Sequence, residues 1–372
     1  MIRPIAIYLP QFHPFPENDE WWGKGFTEWT NVTKAKPLFK GHYQPHLPAD
    51  LGFYDLRLEE TRIAQAELAR ENGIYGFCYY HYWFDGKRLM NQPLDALLES
   101  KKPNFPFMFC WANENWSRRW DGSDHLILIK QNYSKLDAEN QCRFLVPFFL
   151  DERYIKVDNK PVFCFYKPEL IPNVDEYVDS FRTEAQKHGI ELYLCYMENQ
   201  EMFSDNKFEA AIEFQPSTKY LVNFMDKVEK ESLLNKFNNK YFLKMFRHLG
   251  LIELYSELRH KVGHNIEYDS YVDYLIQQYQ YPQNYKRYPC VTPMWDNTAR
   301  RGKDSFLFKN STPEKYAEWL RFHKTNFSPY SNSENFLFIN AWNEWAEGNH
   351  LEPCIKWGKS YLNATQSVLK NT

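Results

Sequence analysis

Residues Asn335–Pro353 read NFLFINAWNEWAEGNHLEP. The opening run, Phe336-Leu337-Phe338-Ile339, is short and unbroken in its apolar character, the pattern of a strand buried on both faces. Straight after it come Trp342, Asn343, Glu344, Trp345 and Glu347. One glutamate at such a place reads as an ordinary helix N-terminal charge favoured by the dipole. Two of them, set among indoles at the end of a buried strand, point to chemistry, because barrel enzymes carry their working groups on the loops that follow the strands.

Working outward, the same apolar pattern recurs at Pro4–Pro10, Ile74–Trp83, Phe105–Ala112, Pro161–Tyr166, Glu191–Met197, Ala210–Phe214 and Tyr288–Trp295, which with Phe336–Ala341 makes eight strands. Helical periodicity fills most of the gaps. It covers Leu56–Asn72, closed by Gly73, then Gln92–Leu98, Asp137–Leu150 and a stretch ending at His188. Strands alternating with helices predict a parallel sheet with right-handed crossovers, and eight is the number that closes. The expected fold is therefore α/β, a single (β/α)8 TIM barrel spanning residues 1–372. An open doubly wound sheet is the runner-up, but no Gly-rich phosphate turn follows any strand.

Two segments break the rhythm. Gln11 to Leu56 is a long connection rich in Trp, Pro, Gly and His, too long to be idle. Residues 218–268 are helix-like and carry Lys227, Lys230, Lys236, Lys240 and Lys244. They are expected as a helical insertion between strands six and seven, its basic face either solvated or turned to an anionic glycan or membrane surface.

Composition narrows the function. A net charge of −3 makes no electrostatic case for nucleic acid. Aromatic residues make up 18% of the chain, with 12 Trp and 26 Tyr, and rings with an apolar face and a polar edge suit sugars. The seven cysteines show no paired spacing, and most lie in apolar strand-like runs where a thiol behaves as a small hydrophobe. That favours a reducing compartment, and with neither a leader-like N-terminus nor an apolar run near the ~20 residues a bilayer requires, a cytoplasmic location is expected.

Strand ends collect the candidate site: Tyr8, Tyr80, His81, Trp83, Trp111, Asn113, Glu114, Trp116, Glu198, Trp295, Asn297, Asn343, Glu344 and Glu347. Rings to stack on sugar faces, mixed with amides and carboxylates to bond hydroxyls, predict an oligosaccharide or polysaccharide substrate. Glycosidic cleavage needs two carboxyl groups, one to protonate the leaving oxygen and one to act as base or nucleophile, and Glu344 and Glu347 are the leading pair. Glu114 is the reserve, with an ion pair to Arg118 or Arg119 as its structural alternative. His13, His42, His46 and His81 lack ligand spacing, so no metal and no cofactor is expected. The oligomeric state is not legible.

Several stretches carry a resemblance: Ile5–Pro14 (IAIYLPQFHP), Gly25–Trp29 (GFTEW), Gly76–Trp83 (GFCYYHYW), Trp111–Trp116 (WANENW) and Trp342–Gly348 (WNEWAEG). Together they resemble the WbsX family, glycosyltransferase-like proteins tied to O-antigen and other surface-polysaccharide loci. The last motif is also similar to the Asn-Glu-Trp-x-Glu-Gly stretch of the endo-α-mannosidases of glycoside hydrolase family 99, which are (β/α)8 barrels. That second resemblance implies Glu344 as base and Glu347 as general acid, by way of a 1,2-anhydro sugar. Three functions follow as expectations: first a glycoside hydrolase acting on a bacterial surface polysaccharide, then a glycosyltransferase of O-antigen or lipopolysaccharide synthesis, then a non-catalytic glycan-binding barrel.

Overall fold

A computed structural model describes residues 2–118, 123–199, 207–231 and 265–370. The barrel strands are β1 (Arg3–Tyr8), β2 (Gly76–Phe84), β3 (Phe107–Trp111), β4 (Lys160–Phe165), β5 (Tyr193–Glu198), β6 (Ala210–Glu213), β7 in two halves (Arg287–Tyr288 and Cys290–Val291), and β8 (Phe336–Ile339). Nine parallel segments run in the order first half of β7, β6, β5, β4, β3, β2, β1, β8, second half of β7. The two ends of that path are the two halves of one strand, so the ring is the eight-stranded barrel that the apolar runs predict. Pro289 explains the split: it has no N–H to give the ladder, although its carbonyl still accepts from Phe338 N at 2.8 Å.

Helices α1 (Pro16–Trp22) and α2 (Glu28–Lys34) lie in the first long connection, and α3 (Glu59–Glu71) returns the chain to β2. Then follow α4 (Gln92–Ser100), α5 (Lys135–Phe149), α6 (Val174–Lys187), α7 (Thr218–Glu231), α8 (Tyr268–Gln278), α9 (Thr298–Arg301), α10 (Pro313–Asn326) and α11 (Ser360–Leu369). Helices α7 and α8 stand between β6 and β7, where the insertion is expected. Residues 232–264, with Lys236, Lys240 and Lys244, lie outside the described residues.

Register fixes which way each side chain points. Tyr8 is level with Tyr79, His81 with Trp111, and Trp111 with Phe165. This set faces the helices: Tyr8 reaches Gln65 on α3, and Trp111 stacks on Tyr177 of α6. The intervening set faces inward, where Tyr80 is level with Cys110, Cys110 with Cys164, and Cys164 with Cys195. All seven cysteines are free and buried. Small thiols thus occupy the middle of the barrel and leave its upper end to larger groups.

Gly76 opens β2 where the neighbouring chain crosses closely. A Cβ there would lie 2.7 Å from Pro106 O and 3.0 Å from Ile155 Cδ1. Gly76→Ala is expected to lower the unfolding free energy by about 1–3 kcal/mol. The denaturant midpoint should fall at unchanged m-value. An unmoved midpoint would contradict so close an approach.

Candidate active site

The chain leaves β8 into a turn that is held at many points. Trp342 N donates to Ile7 O at 2.7 Å, and Asn343 brackets the Leu9 peptide, accepting from Leu9 N at 2.8 Å and donating to Leu9 O at 3.0 Å. Asn343–Glu344 pairs antiparallel with Asn349–His350 around a 3-10 turn, Trp345–Glu347. Gly348 closes it in the left-handed region, φ 54°, against Asp296; an added Cβ would meet Asp296 Cβ and O at 2.9 Å each. Only glycine meets both demands. Asp296 N in turn donates to Glu347 O at 2.6 Å, and His42 Nε2 lies 2.6 Å from Asp296 Oδ2, tying the first long connection to the turn.

Glu344 and Glu347 both open into a cavity of about 260 Å³ at the carboxyl end of the barrel. Its walls are the inward-facing residues of successive strands and their loops. They are Leu9 and Gln11 after β1, Tyr80 and Tyr82 on β2, and Ala112, Glu114, Asn115, Trp116 and Ser117 after β3. Tyr166 follows β4, Phe214 follows β6, and Trp295, Asn297, Arg300 and Arg301 follow β7.

One guanidinium holds the acidic groups together. Arg300, on α9, donates from Nη1 to Glu347 Oε1 at 2.5 Å and from Nη2 to Glu344 Oε2 at 3.0 Å. Its other edge grips Glu28 of α2, with Nε at 2.9 Å and Nη2 at 2.7 Å from Oε1. Glu28 is wholly buried, the Glu344 side chain 7% exposed and that of Glu347 21%. Burial, and then the charge of Glu347, push the Glu344 carboxyl up to about 8, against the opposing pull of Arg300. Burial also raises Glu28. Glu344 therefore holds a proton at neutral pH while Glu347 faces the guanidinium.

Of the residues expected at the site, Tyr80, Glu114, Trp116, Trp295, Asn297, Glu344 and Glu347 line this cavity. Glu114 is paired with Lys167 Nζ at 2.8 Å. Six expected binding residues are placed elsewhere. Tyr8 donates to Gln65 Oε1 at 2.6 Å, and Trp83 Nε1 donates to Asp137 Oδ1 at 2.7 Å. The His81 ring lies flat against Phe144 of α5, and burial lowers it to about 3. Trp111 packs on Tyr177, Asn113 clamps the Lys167 peptide through both side-chain atoms at 2.7 Å, and Asn343 is committed to Leu9. Glu198, also expected, points outward to Arg287 Nη1 at 2.8 Å and Tyr285. The reason is common to most of them: successive strand residues alternate faces, and these fall on the outward parity. Tyr82, Tyr166, Phe214, Arg300 and Glu28 were missed. Alternation counted from Tyr80 reaches Tyr82, but Arg300 and Glu28 carry no such signal. Among the described residues, no group of three or more His, Cys, Asp or Glu could hold a metal ion, and no helix is long and apolar enough to cross a membrane.

Known proteins similar to this chain bear on its family and its fold. The model of a family described as "Glycosyltransferase WbsX" matches residues 4–365. Two curated relatives from strains of Xanthomonas campestris pv. campestris, both described as "Uncharacterized protein WxcX", are 37% identical over 369 residues. That alignment takes in 98% of this chain and 49% of theirs, so the chain spans about half the length of these relatives. Among solved structures, a "Glycoside hydrolase-like protein" superposes with TM-score 0.59 at 13% identity, covering 100% of this chain and 94% of its own. The family-99 endo-alpha-mannosidase from a Bacteroides thetaiotaomicron complex with bis-tris-propane gives 0.58 at 13% identity, covering 99% and 96%. At that identity the likeness establishes the shared barrel.

Behind the turn sits another buried carboxyl, that of Glu352. Glu352 accepts from Gln65 Nε2 at 2.6 Å, Tyr54 OH at 2.8 Å and Trp345 Nε1 at 2.7 Å. Three donors converge on it, and an amide would turn its own N–H groups against one or more of them. Glu352→Gln is expected to cost about 1–3 kcal/mol of unfolding free energy. Equilibrium denaturation measures this, and a variant as stable as wild type would show that the three contacts do not anchor the turn.

Proposed function

The chain belongs to the family described as Glycosyltransferase WbsX, and from that premise we propose that it is a carbohydrate-active enzyme that hydrolyses glycosidic bonds in a bacterial surface polysaccharide or related glycan. The observation that carries this reading is the pair Glu344 and Glu347, presented from one turn into one cavity walled by Tyr80, Tyr82, Trp116, Tyr166 and Trp295. The rings offer stacking faces, and the two carboxyls supply the acid and the base that cleavage of an acetal requires.

We assign Glu347 as the acid and Glu344 as the base, in line with the family-99 resemblance. The bond between the anomeric carbon and the leaving oxygen breaks as Glu347 gives that oxygen its proton. Glu344 takes a proton from the attacking hydroxyl, and over the full cycle one water is consumed while the pair returns to its one-proton state. A carboxylate with affinity for protons up to about pH 8 is a strong base for that task. At rest burial keeps the shared proton on Glu344. A sugar hydroxyl donating to Glu344 favours its ionised form and sends the proton toward Glu347.

Reducing-end release from a panel of bacterial polysaccharides and mannose-containing oligosaccharides tests this. Glu344→Gln and Glu347→Gln should each lower turnover by about 10²–10⁴-fold, with the thermal midpoint nearly unchanged. Retention of wild-type turnover by either variant would remove it from the reaction.

The pH profile gives a separate check. The one-proton form of the pair is lost as pH rises through about 8, so kcat/KM should fall on an alkaline limb there. A profile flat to pH 10 would contradict a shared proton.

The family description supports a second reading, transfer from an activated sugar donor. Saturating nucleotide sugar at a hundred times its Kd would then stabilise the fold by about 2.7 kcal/mol. A thermal-shift screen distinguishes the two.

A further inference from the structure

The GFTEW motif supplies a group with no place in the reaction as drawn. Glu28 is the glutamate of that motif, buried completely, and it reaches the cavity only through Arg300. A guanidinium offers five N–H donors in a rigid fork. Here Nε and Nη2 both reach Glu28, Nη2 is shared with Glu344, and Nη1 reaches Glu347. Three carboxyl groups share one positive charge, so what Glu28 draws is not available to the pair. Glu28 Oε2 has no hydrogen-bond partner among the described residues. Its single engaged oxygen is therefore spent entirely on Arg300.

We propose that Glu28 is a positioning residue for the Glu344–Glu347 pair, holding Arg300 by its Nε edge and thereby setting how much of the guanidinium charge the pair receives and how many protons it keeps. This rests on the pair being the acid and base of the reaction, but the charge relation exists in the substrate-free protein. The charged and titratable groups facing Glu344 are Glu347 on its own turn, Arg300 on α9, Glu28 on α2, Tyr80 and Tyr82 on β2, and Tyr166 after β4. Burial holds the three phenols above their ordinary range, so they stay neutral while Glu344 titrates. Glu28 and Glu347 act to keep the proton on Glu344; Arg300 acts to remove it.

The test is a carboxyl-carbon NMR titration of the full chain, with glutamate side chains labelled and the Glu344 signal identified by its loss in Glu344→Gln. Glu28→Gln keeps the shape, retains an oxygen for Arg300 and removes the charge, so the Glu344 midpoint should fall by about 1–3 pH units. Arg300→Gln should move it the opposite way, upward. A general loosening of the site would bring both variants down toward an ordinary carboxyl, and that result overturns the proposal, as does a Glu344 midpoint unmoved in Glu28→Gln. If Glu28→Gln does not fold, Glu28→Asp takes its place: its shorter side chain loosens the hold on Arg300 at unchanged charge, so a lowered Glu344 midpoint supports the proposal and an unmoved or raised one overturns it. No substrate enters the titration. Failure of the hydrolase reading would appear instead as turnover retained in Glu344→Gln or Glu347→Gln, so the two failures are separable.

Discussion

A closed ring of parallel strands gives each strand residue two destinations, the interior or the helix layer, and registered neighbours share the same one. Much of the structure follows from that constraint. The row Tyr80, Cys110, Cys164, Cys195 turns inward, and the row Tyr8, Tyr79, Phe109, Phe163 turns out. Because the inward row is filled in its middle by thiols, with Cys78, Cys110, Cys195 and Cys290 close enough to interact electrostatically, bulk is concentrated at the upper end. There Tyr80, Tyr82, Tyr166 and Phe214 rise around the opening and make its floor and walls. The outward row does the other half of the work. Trp83 bonds Asp137, Trp111 stacks on Tyr177, and Phe163 stacks on Phe181, so the helices are seated by the same strands that wall the cavity.

The alternation also explains how much could be read from the chain before its fold was known. Eight apolar runs separated by helical periods were legible because buried parallel strands leave continuous apolar stretches, and every run lies on a barrel strand. Even the seventh, broken at Pro289, keeps its place by pairing to β6 with one half and to β8 with the other. What a continuous apolar run conceals is parity. In Tyr80-His81-Tyr82-Trp83 all four residues are large and ring-bearing, so nothing in their chemistry says which pair turns inward; the structure selects Tyr80 and Tyr82. Glu344 and Glu347 were visible because they interrupt an apolar context. Arg300 was not: it lies beyond Trp295 and Asn297, beside a second arginine, in a stretch whose polarity resembles any surface loop. Glu28 sat in a recognised motif, but its partner is 272 residues away.

Four charged or chargeable groups in so small a volume carry a desolvation penalty that no single ion pair offsets. One cation cannot balance three carboxylates. Burial answers the excess by pushing both Glu28 and Glu344 upward, Glu344 to about 8, so that Glu344 keeps a proton at neutral pH. Among the three, Glu347 is the most exposed to the cavity and has the shortest contact with Arg300. Depth and distance thus make the two glutamates of the turn unlike each other although they lie only three residues apart, and unlike carboxyls in one site are what acid–base division of labour requires.

The turn that bears them has little regular structure of its own, a single 3-10 turn between two two-residue strands. Its precision comes from outside. Asn343 fixes its entry against β1's end, Gly348 and Asp296 lock its exit against the loop after β7, and Glu352 grips Trp345 from behind. Each of these contacts ends on a backbone atom or on a side chain pinned by others, and Trp345 is further stacked on His350 at 3.8 Å. Such a frame restrains rotation of the turn and holds both carboxyl groups against Arg300. In this site, then, the backbone is fixed from outside the turn, and the charge that the turn presents is balanced by one guanidinium held on its far edge by Glu28.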